Sequence, residues 1–394
     1  MVNSEKDLPR ITFVIHDVEG GVGSMNHQIV ENADFKAHFQ VRIILWRGVE
    51  ETAKSFKDTF TNAHEVTRFA FSRLDNFYLV LKKFNRLLNE WPGSIVANDG
   101  FELEAISKFG TNSVVFSIIH DYYNLSLAIK NINLIDNFVC HTTIFARTLL
   151  SNNDLKQRVQ YLLHGVYVRQ RNERNADTGR KLRIVSISRL TQHKGVLLLY
   201  DINRLLLDKG VEVEWIVVGS GELESKLKQQ WEGHNNIRFC QPDTSQEVYE
   251  IATTGDLFIS PSNFEGYGIA LLEAMACGLV PVIHRLPVGI YSELPADSGF
   301  SIEPGDVNSF AECITRLNGD RELVATMGNN AHRLVLDKYD ISKTANSFME
   351  NFESHLTHHV TKGLPARNVS SFGMLDKPYL PNALVRLIKK ALRK

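Results

Sequence analysis

Phe258-Ile-Ser-Pro-Ser-Asn-Phe-Glu-Gly-Tyr-Gly-Ile-Ala-Leu-Leu-Glu-Ala-Met-Ala-Cys-Gly-Leu-Val-Pro281 runs from a short apolar stretch through a glycine-spaced loop into an apolar helical stretch and out to another apolar run. That order is one strand-loop-helix-strand unit: a strand over Asp256–Ser260, a helix from about Ile269 and a strand over Val280–His284. Glu265 falls in the loop, and Glu273 falls inside the helix. A carboxylate within such an apolar helix is costly to bury unless donors such as sugar hydroxyls meet it. The N–H groups of Gly266 to Ile269 lead the helix and are placed to hold a sugar or phosphate oxygen.

The same alternation continues outward in both directions. Upstream of it the second half offers strands at Leu182–Ser188, Glu214–Gly219 and Ile237–Cys240. The first half offers Ile11–His16, Val41–Trp46, Ser94–Asn98, Ser113–His120, Asn137–Cys140 and Gln160–His164. Near-continuous apolar runs separated by amphipathic stretches are the pattern of parallel sheets covered by helices on both faces. The chain therefore reads as two Rossmann-like α/β domains, 1–168 and 181–355, joined by a polar linker at 169–180 and followed by a basic tail at 356–394. Its 394 residues accommodate two domains with full cores, and 43% hydrophobic with 23% charged residues is a globular composition.

Several classes are disfavoured. A net charge of −1 does not suit a general nucleic-acid-binding surface. Cys140, Cys240, Cys277 and Cys313 form no Cys-x-x-Cys pair, so a zinc site or disulfide framework is not expected. The opening MVNSEKDLPR has no apolar core of a secretory signal, and no apolar run of about 18 residues marks a transmembrane helix. A cytoplasmic location is expected.

Three further loops carry candidate chemistry. Gly20-Gly-Val-Gly-Ser-Met-Asn26 follows the first strand, where glycines let backbone N–H groups approach a phosphate; alone it is equally a bare tight turn. It is not a dinucleotide fingerprint, since Asn26 stands where a third glycine belongs and Arg47 where an acid would follow the second strand. Arg189 and Lys194 lie just past the strand Leu182–Ser188, and two cations converging there suit a diphosphate, although loop charges are commonly only solvated. Val218-Gly-Ser-Gly-Glu222 repeats the strand-to-glycine turn one unit later.

Taken together, these elements resemble the retaining glycosyltransferases of the two-Rossmann-domain type, GT-B, in family four. Residues 258–283 are similar to that family's E-x7-E element, and Ser188-Arg-Leu…Lys194-Gly195 to its Gly-Arg-Leu…Lys-Gly element. The order of elements agrees from the Gly20–Gly23 loop to about residue 345. The resemblance implies two domains facing a central cleft, the second binding a nucleotide sugar. It implies that Arg189 and Lys194 bind the donor diphosphate, Glu273 the ribose, and Glu265 with the amides of Gly266, Tyr267, Gly268 and Ile269 the donor sugar. Gly219 and Gly221 would line the donor loop, and Gly21 and Gly23 the phosphate and acceptor side. His120, in Ser117-Ile-Ile-His120-Asp121, falls where the family places a histidine near the transferred sugar. Two departures stand out: His164-Gly-Val-Tyr167 replaces the family's common Asn-Gly-Val-Asp, and Ser188 replaces a glycine. A retaining enzyme of this kind needs no protein nucleophile. With no Asp-x-Asp anywhere in the chain, no metal or other cofactor is expected.

The tail needs its own account. From Lys362 on it holds eight basic residues and one acid, Asp376, a balance of +7 that leaves −8 on residues 1–361. In Asn382-Ala-Leu-Val-Arg-Leu-Ile-Lys-Lys-Ala-Leu-Arg-Lys394, apolar and basic residues alternate at helical spacing. That is a basic amphipathic helix suited to an anionic inner membrane face, or else a helix packed on the first domain. Arg68–Arg73 and Phe77–Arg86 mix aromatic and basic residues, as a second membrane contact or as a helix with a solvated face. A membrane contact points to a glycan or glycolipid acceptor, as in surface polysaccharide or lipopolysaccharide synthesis. Transfer to a soluble acceptor and a non-catalytic scaffold are the competing readings.

Overall fold

A computed structural model describes residues 8–32, 35–169, 176, 179–357 and 372–392. The chain forms two compact units. The first gathers residues 1–141, 145–162 and 345–394, and the second residues 142–144 and 163–344.

The first unit carries seven parallel strands: β1 (Arg10–His16), β2 (Gln40–Gly48), β3 (Glu65–Phe71), β4 (Ser94–Ala97), β5 (Val114–Ile119), β6 (Asn137–Cys140) and β7 (Val159–Tyr161). Their spatial order is β3-β2-β1-β4-β5-β6-β7. The central strands are apolar on both faces because helices cover both; Ile11, Phe13, Val14 and Ile15 of β1 are wholly buried. The second unit carries β8 (Leu182–Ile187), β9 (Val213–Val218), β10 (Ile237–Cys240), β11 (Leu257–Ser260), β12 (Val280–His284) and β13 (Phe300–Ile302), in the order β10-β9-β8-β11-β12-β13. In each sheet the order reverses between its first and fourth strands in chain order. Loops at the carboxyl ends of β1 and β4, and of β8 and β11, therefore flank the places where open α/β sheets take ligands.

The Arg68–Arg73 segment differs from the sequence reading, and the Phe77–Arg86 helix agrees with it. Arg68–Arg73 is neither a helix nor a separate surface element: Glu65–Phe71 is the edge strand β3, burying Phe69 while Val66 faces outward. Charged residues on an edge strand blur its alternation. Phe77–Asn89 is the helix with a solvated face, burying Val80, Leu81, Phe84 and Leu88 and exposing Lys82, Lys83 and Arg86. The second unit comprises residues 142–144 and 163–344, beside the expected 181–355. Val166 bonds with Tyr339 and Ile341 at 2.8 and 2.9 Å and so belongs with the second unit, whereas Phe352 returns to the first and packs on Phe13, Phe35 and Phe116. The linker expected at 169–180 lies largely outside the described residues.

The C-terminal helix, Asn382–Ala391, is docked on the first unit. Asn76, which caps the helix Phe77–Asn89, donates to the Lys377 and Leu380 carbonyls at 2.9 Å, and its N–H donates to Asn382 Oδ1 at 2.7 Å. Asp75 accepts from Asn382 at 3.1 Å and from Arg386 Nε at 2.6 Å, and Lys389 spans the Asp75 carbonyl and the Asp376 carboxylate. Burial pushes the Asp75 carboxyl up, but the bonds from Ser72, Asn382 and Arg386 outweigh it and hold the group below 3.8. The sign follows: the folded value lies below the unfolded one, so this clamp stabilises fully above about pH 4 and is lost as pH falls through the depressed value. Hydrogen exchange of the amides of residues 385–388 should be slow at pH 7, accelerate on acidification below about pH 4 relative to the core strands, and be fast at pH 7 in Asp75→Ala.

Candidate functional site

In the second unit the loops after β8, β9 and β11 are packed backbone against backbone. Gly195 closes a short 3-10 turn, Gln192–Lys194, with a left-handed φ of 64°. A Cβ there would lie 2.0 Å from the Pro261 carbonyl oxygen. Gly219, at φ 128°, sits the same way against the Ser188 carbonyl, also at 2.0 Å, and Gly221 against that of Leu190 at 2.5 Å. These glycines are needed because no side chain fits between the loops. Leu190 N–H to Ser220 O at 2.8 Å and Asn263 N–H to His193 O at 2.8 Å complete the seam.

The seam brings Lys194 to Glu265, with Nζ 2.7 Å from Oε2 and only 15% and 12% of the two side chains exposed. Arg189 is exposed in the same loop. Burial lowers the affinity of His193 for a proton, and the positive charges of Lys194 and then Arg189 lower it further, so both cations lie within electrostatic reach of one imidazole. Beyond Glu265 the chain turns through Gly268, at φ 101°, into the helix Ile269–Ala276. The leading N–H groups of that helix have no intrahelical acceptor. Glu273 is half-buried in its second turn. Tyr267 is buried, its hydroxyl donating to the His164 carbonyl at 2.8 Å. A pocket borders these loops, lined by Gln192, Gly195, Val196, Leu223 and Asn263 among others.

Sequence reasoning missed the side chains that support this arrangement. Tyr291, on the short helix Gly289–Glu293, is buried with its hydroxyl 2.9 Å from Ser260 Oγ. Burial, and secondarily the Glu265 charge, hold that phenol well above its ordinary range. His284, at the end of β12, donates from Nδ1 to the Ser262 carbonyl at 3.1 Å and accepts the Gly305 N–H at Nε2 at 3.2 Å, which fixes a neutral tautomer. Neither residue carries a local pattern; each is found by the fold alone.

The remaining candidates lie in the first unit. Gly21 and Gly23 belong to the first turn of the helix Gly21–Asn32. A Cβ at Gly23 would enter the Phe56 ring at 2.6 Å, whereas Gly21 faces open space. Asn26, which broke the dinucleotide pattern, reaches across to Asn98 just past β4, in reciprocal amide bonds of 3.0 and 3.2 Å. Asn98 Nδ2 also donates to the Val14 carbonyl at 2.9 Å, so its Oδ1 faces His120, 2.7 Å from Nε2. His120 therefore donates from Nε2, and Nδ1 is a buried lone pair with no partner among the described residues. Burial, and then the neighbouring His141, hold the imidazole neutral, well below its usual range.

The second unit has counterparts among known proteins. Residues 168–334 match the family model of group 1 glycosyl transferases. That span covers most of the second unit, including both loops of the Lys194–Glu265 pair. Similar curated proteins include the capsular polysaccharide biosynthesis glycosyltransferase CapM of Staphylococcus aureus, 23% identical over 64% of this chain and 66% of that protein. Another is the UDP-Gal:alpha-D-GlcNAc-diphosphoundecaprenol alpha-1,3-galactosyltransferase of Escherichia coli, 25% identical over 40% of this chain and 41% of that one. The matched region thus spans less than two thirds of each relative. Among solved structures, HepE of Anabaena in complex with UDP and glucose superposes with a TM-score of 0.69 at 18% identity, covering 88% of this chain and 100% of that one. The fold is that of the GT-B glycosyltransferases.

The glycine contacts separate two kinds of position. Gly195→Ala should cost about 2 kcal/mol or more, from left-handed strain and the overlap with Pro261, while Gly21→Ala should leave stability within about 0.5 kcal/mol. Urea denaturation of both variants measures the contrast.

Proposed function

We propose that this chain is a retaining, metal-independent glycosyltransferase. It moves a sugar from a nucleotide-sugar donor to a lipid-linked glycan acceptor in surface polysaccharide or lipopolysaccharide synthesis. The observation that carries this reading is the Lys194–Glu265 pair just before the helix Ile269–Ala276, with Arg189 in the same loop as Lys194, at the β8/β11 switch point. The names of the relatives point the same way: CapM to capsular polysaccharide, the Escherichia coli enzyme to a diphosphoundecaprenol-linked sugar, and the HepE structure to UDP and glucose.

In this reading Arg189 and Lys194 neutralise the donor diphosphate, as two cations suit its charge. Glu273 holds the ribose, while Glu265 and the N–H groups of Gly266, Tyr267, Gly268 and Ile269 hold the sugar. Gly219 and Gly221 keep the donor loop close. On the acceptor unit, the helix start at Gly21 and Gly23 and the free Nδ1 of neutral His120 offer contacts to phosphate and hydroxyl groups. The bond from the sugar's anomeric carbon to the diphosphate oxygen breaks as the acceptor oxygen forms a bond on the same face. The acceptor's proton passes to the departing diphosphate. Catalysis rests on positioning and on charge neutralisation at the leaving group.

No helix among the described residues is long and apolar enough to cross a membrane. The docked C-terminal helix nevertheless leaves Leu384, Leu387 and Leu392 exposed, the last two by 66% and 75%, beside Lys390. An exposed leucine stripe flanked by basic residues supports peripheral attachment to the anionic inner face of the cell membrane. The engagement of Arg386 and Lys389 by Asp75 and Asp376 favours a second reading, a soluble acceptor and a purely structural tail. Flotation with anionic liposomes decides: Leu387→Glu should abolish binding if the helix meets the membrane, whereas a wild-type protein that stays unbound supports the soluble acceptor.

A thermal-shift panel of UDP-, GDP- and ADP-sugars with a chelator present tests the donor site. A ligand held at about 100 times its dissociation constant adds about 2.7 kcal/mol. One nucleotide should stabilise the protein and Lys194→Ala should abolish the shift; absence of any shift in the wild type would overturn the assignment. Transfer abolished by the chelator and restored by a divalent ion would overturn metal independence.

A further inference from the structure

At the end of β1 an imidazole is held firmly in place with one nitrogen left over. His16, the last residue of the strand, meets Glu51 at 2.7 Å, Nε2 to Oε2. The carboxylate is itself anchored, because its Oε1 accepts the Gly48 N–H at 2.8 Å. An ionised carboxylate only accepts, so His16 donates from Nε2. The plane of the ring is set as well. It stacks on Trp46 at 4.2 Å and 8°, and Trp46 stacks in turn on Phe101 at 4.5 Å. The other nitrogen, Nδ1, has no protein partner among the described residues, and 29% of the side chain stays exposed. A ring fixed in plane and direction, with an open nitrogen, is preorganised for a partner from outside. His16 also stands beside the β1/β4 switch point, where open α/β sheets take ligands.

We propose that His16 is a contact for a hydroxyl of the acceptor sugar, made through Nδ1, with Glu51 the positioning residue that fixes its ring. This rests on the reading of the first unit as the acceptor unit. A hydroxyl is the group that fits. It both donates and accepts, so it serves Nδ1 as a lone pair or as an N–H, whereas a phosphate oxygen serves only the protonated ring. The charges at this end of the sheet also disfavour an anion. β1 and β4 are in register at Val14 and Ala97, so His16 and Asp99 each follow two residues further on at the same end. Asp121 caps the helix Tyr122–Lys130 just past β5. Burial raises the Asp99 carboxyl; the Gly100 N–H and His16 oppose that, and the charges of Asp121 and Glu51 add to it. Arg47 of β2 and Arg68 of β3 are already committed, the first to Ser55 and to the Glu51 and Ala53 carbonyls, the second to Asp17. What Asp99 and Asp121 add is negative charge, which a diphosphate meets as repulsion and a hydroxyl does not.

Long-range proton–nitrogen correlation of the imidazoles in the isotope-labelled full chain reads the contact directly. The His16 signals are those lost in His16→Gln. Methyl glycosides of glucose, galactose, mannose and N-acetylglucosamine are the probes, and inorganic phosphate is the anion. At least one glycoside should shift the His16 Nδ1 resonance saturably, and phosphate should leave it in place. Glu51→Ala releases the ring and should weaken that glycoside about tenfold, the effect of one charge-assisted hydrogen bond. Glu51→Gln keeps an oxygen acceptor and should recover part of the affinity. A purely structural pair would bind the glycoside equally in wild type and Glu51→Ala, and that result overturns the proposal. A shift caused by phosphate, or none by any glycoside, overturns it too. If His16→Gln does not fold, the signals are assigned through Glu51→Gln, which perturbs the same ring. The donor reading fails separately. A nucleotide-sugar thermal shift in a protein whose His16 answers no glycoside overturns this contact alone, and a His16 response in a protein that no nucleotide sugar stabilises overturns the donor site alone.

Discussion

The carbonyl of Pro261 stands where a side chain at position 195 would begin. That single close approach dictates much of the second unit's site. It lets the turn after β8 lie directly on the loop after β11, and two further glycines seat the loop after β9 on the carbonyls of Ser188 and Leu190. With three loops joined through backbone, Lys194 has one short path to Glu265 and little space in which to wander. The geometry of the charges is set by contacts that involve no charge.

The two units treat polarity differently. Around β8 and β11 the side chains are ionised and only partly buried, and the neutral His193 and His284 serve as spacers. Around β1, β4 and β5 a buried chain of amides and an uncharged imidazole links Asn26, Asn98 and His120, beside the Asp17–Arg68 and His16–Glu51 pairs at the end of β1. The first arrangement can answer a strongly charged ligand; the second is suited to hydroxyl groups, which exchange one hydrogen bond for another at small net cost.

How much of this was legible beforehand follows from distance along the chain. β1, β2, β8, β9, β11 and β12 could be read because central parallel strands are apolar runs bounded by turns. Glu265 in a loop and Glu273 in a helix could be read because one β-α unit contains both. β3 could not, since an edge strand carrying Glu65 and Arg68 has no continuous apolar run. Tyr291 and Asn98 could not, because their partners lie far off in sequence and become neighbours only through the sheet. The basic tail shows the same limit most clearly. Arg386 and Lys389 read as charges for a lipid surface, yet their nearest counterions are Asp75 and Asp376, and the leucines between them are what remains on the outside.

Phe352 closes the core of the first unit against Phe13, Phe35 and Phe116, rings supplied by the opening third of the chain. A ribosome emits those rings early and Phe352 late, with the whole of residues 163–344 in between. The second unit, continuous over that span, can complete its sheet as soon as it emerges. The amino-terminal unit must wait with an open hydrophobic face until the second unit has been made, reversing the usual amino-terminal-first order of maturation during translation.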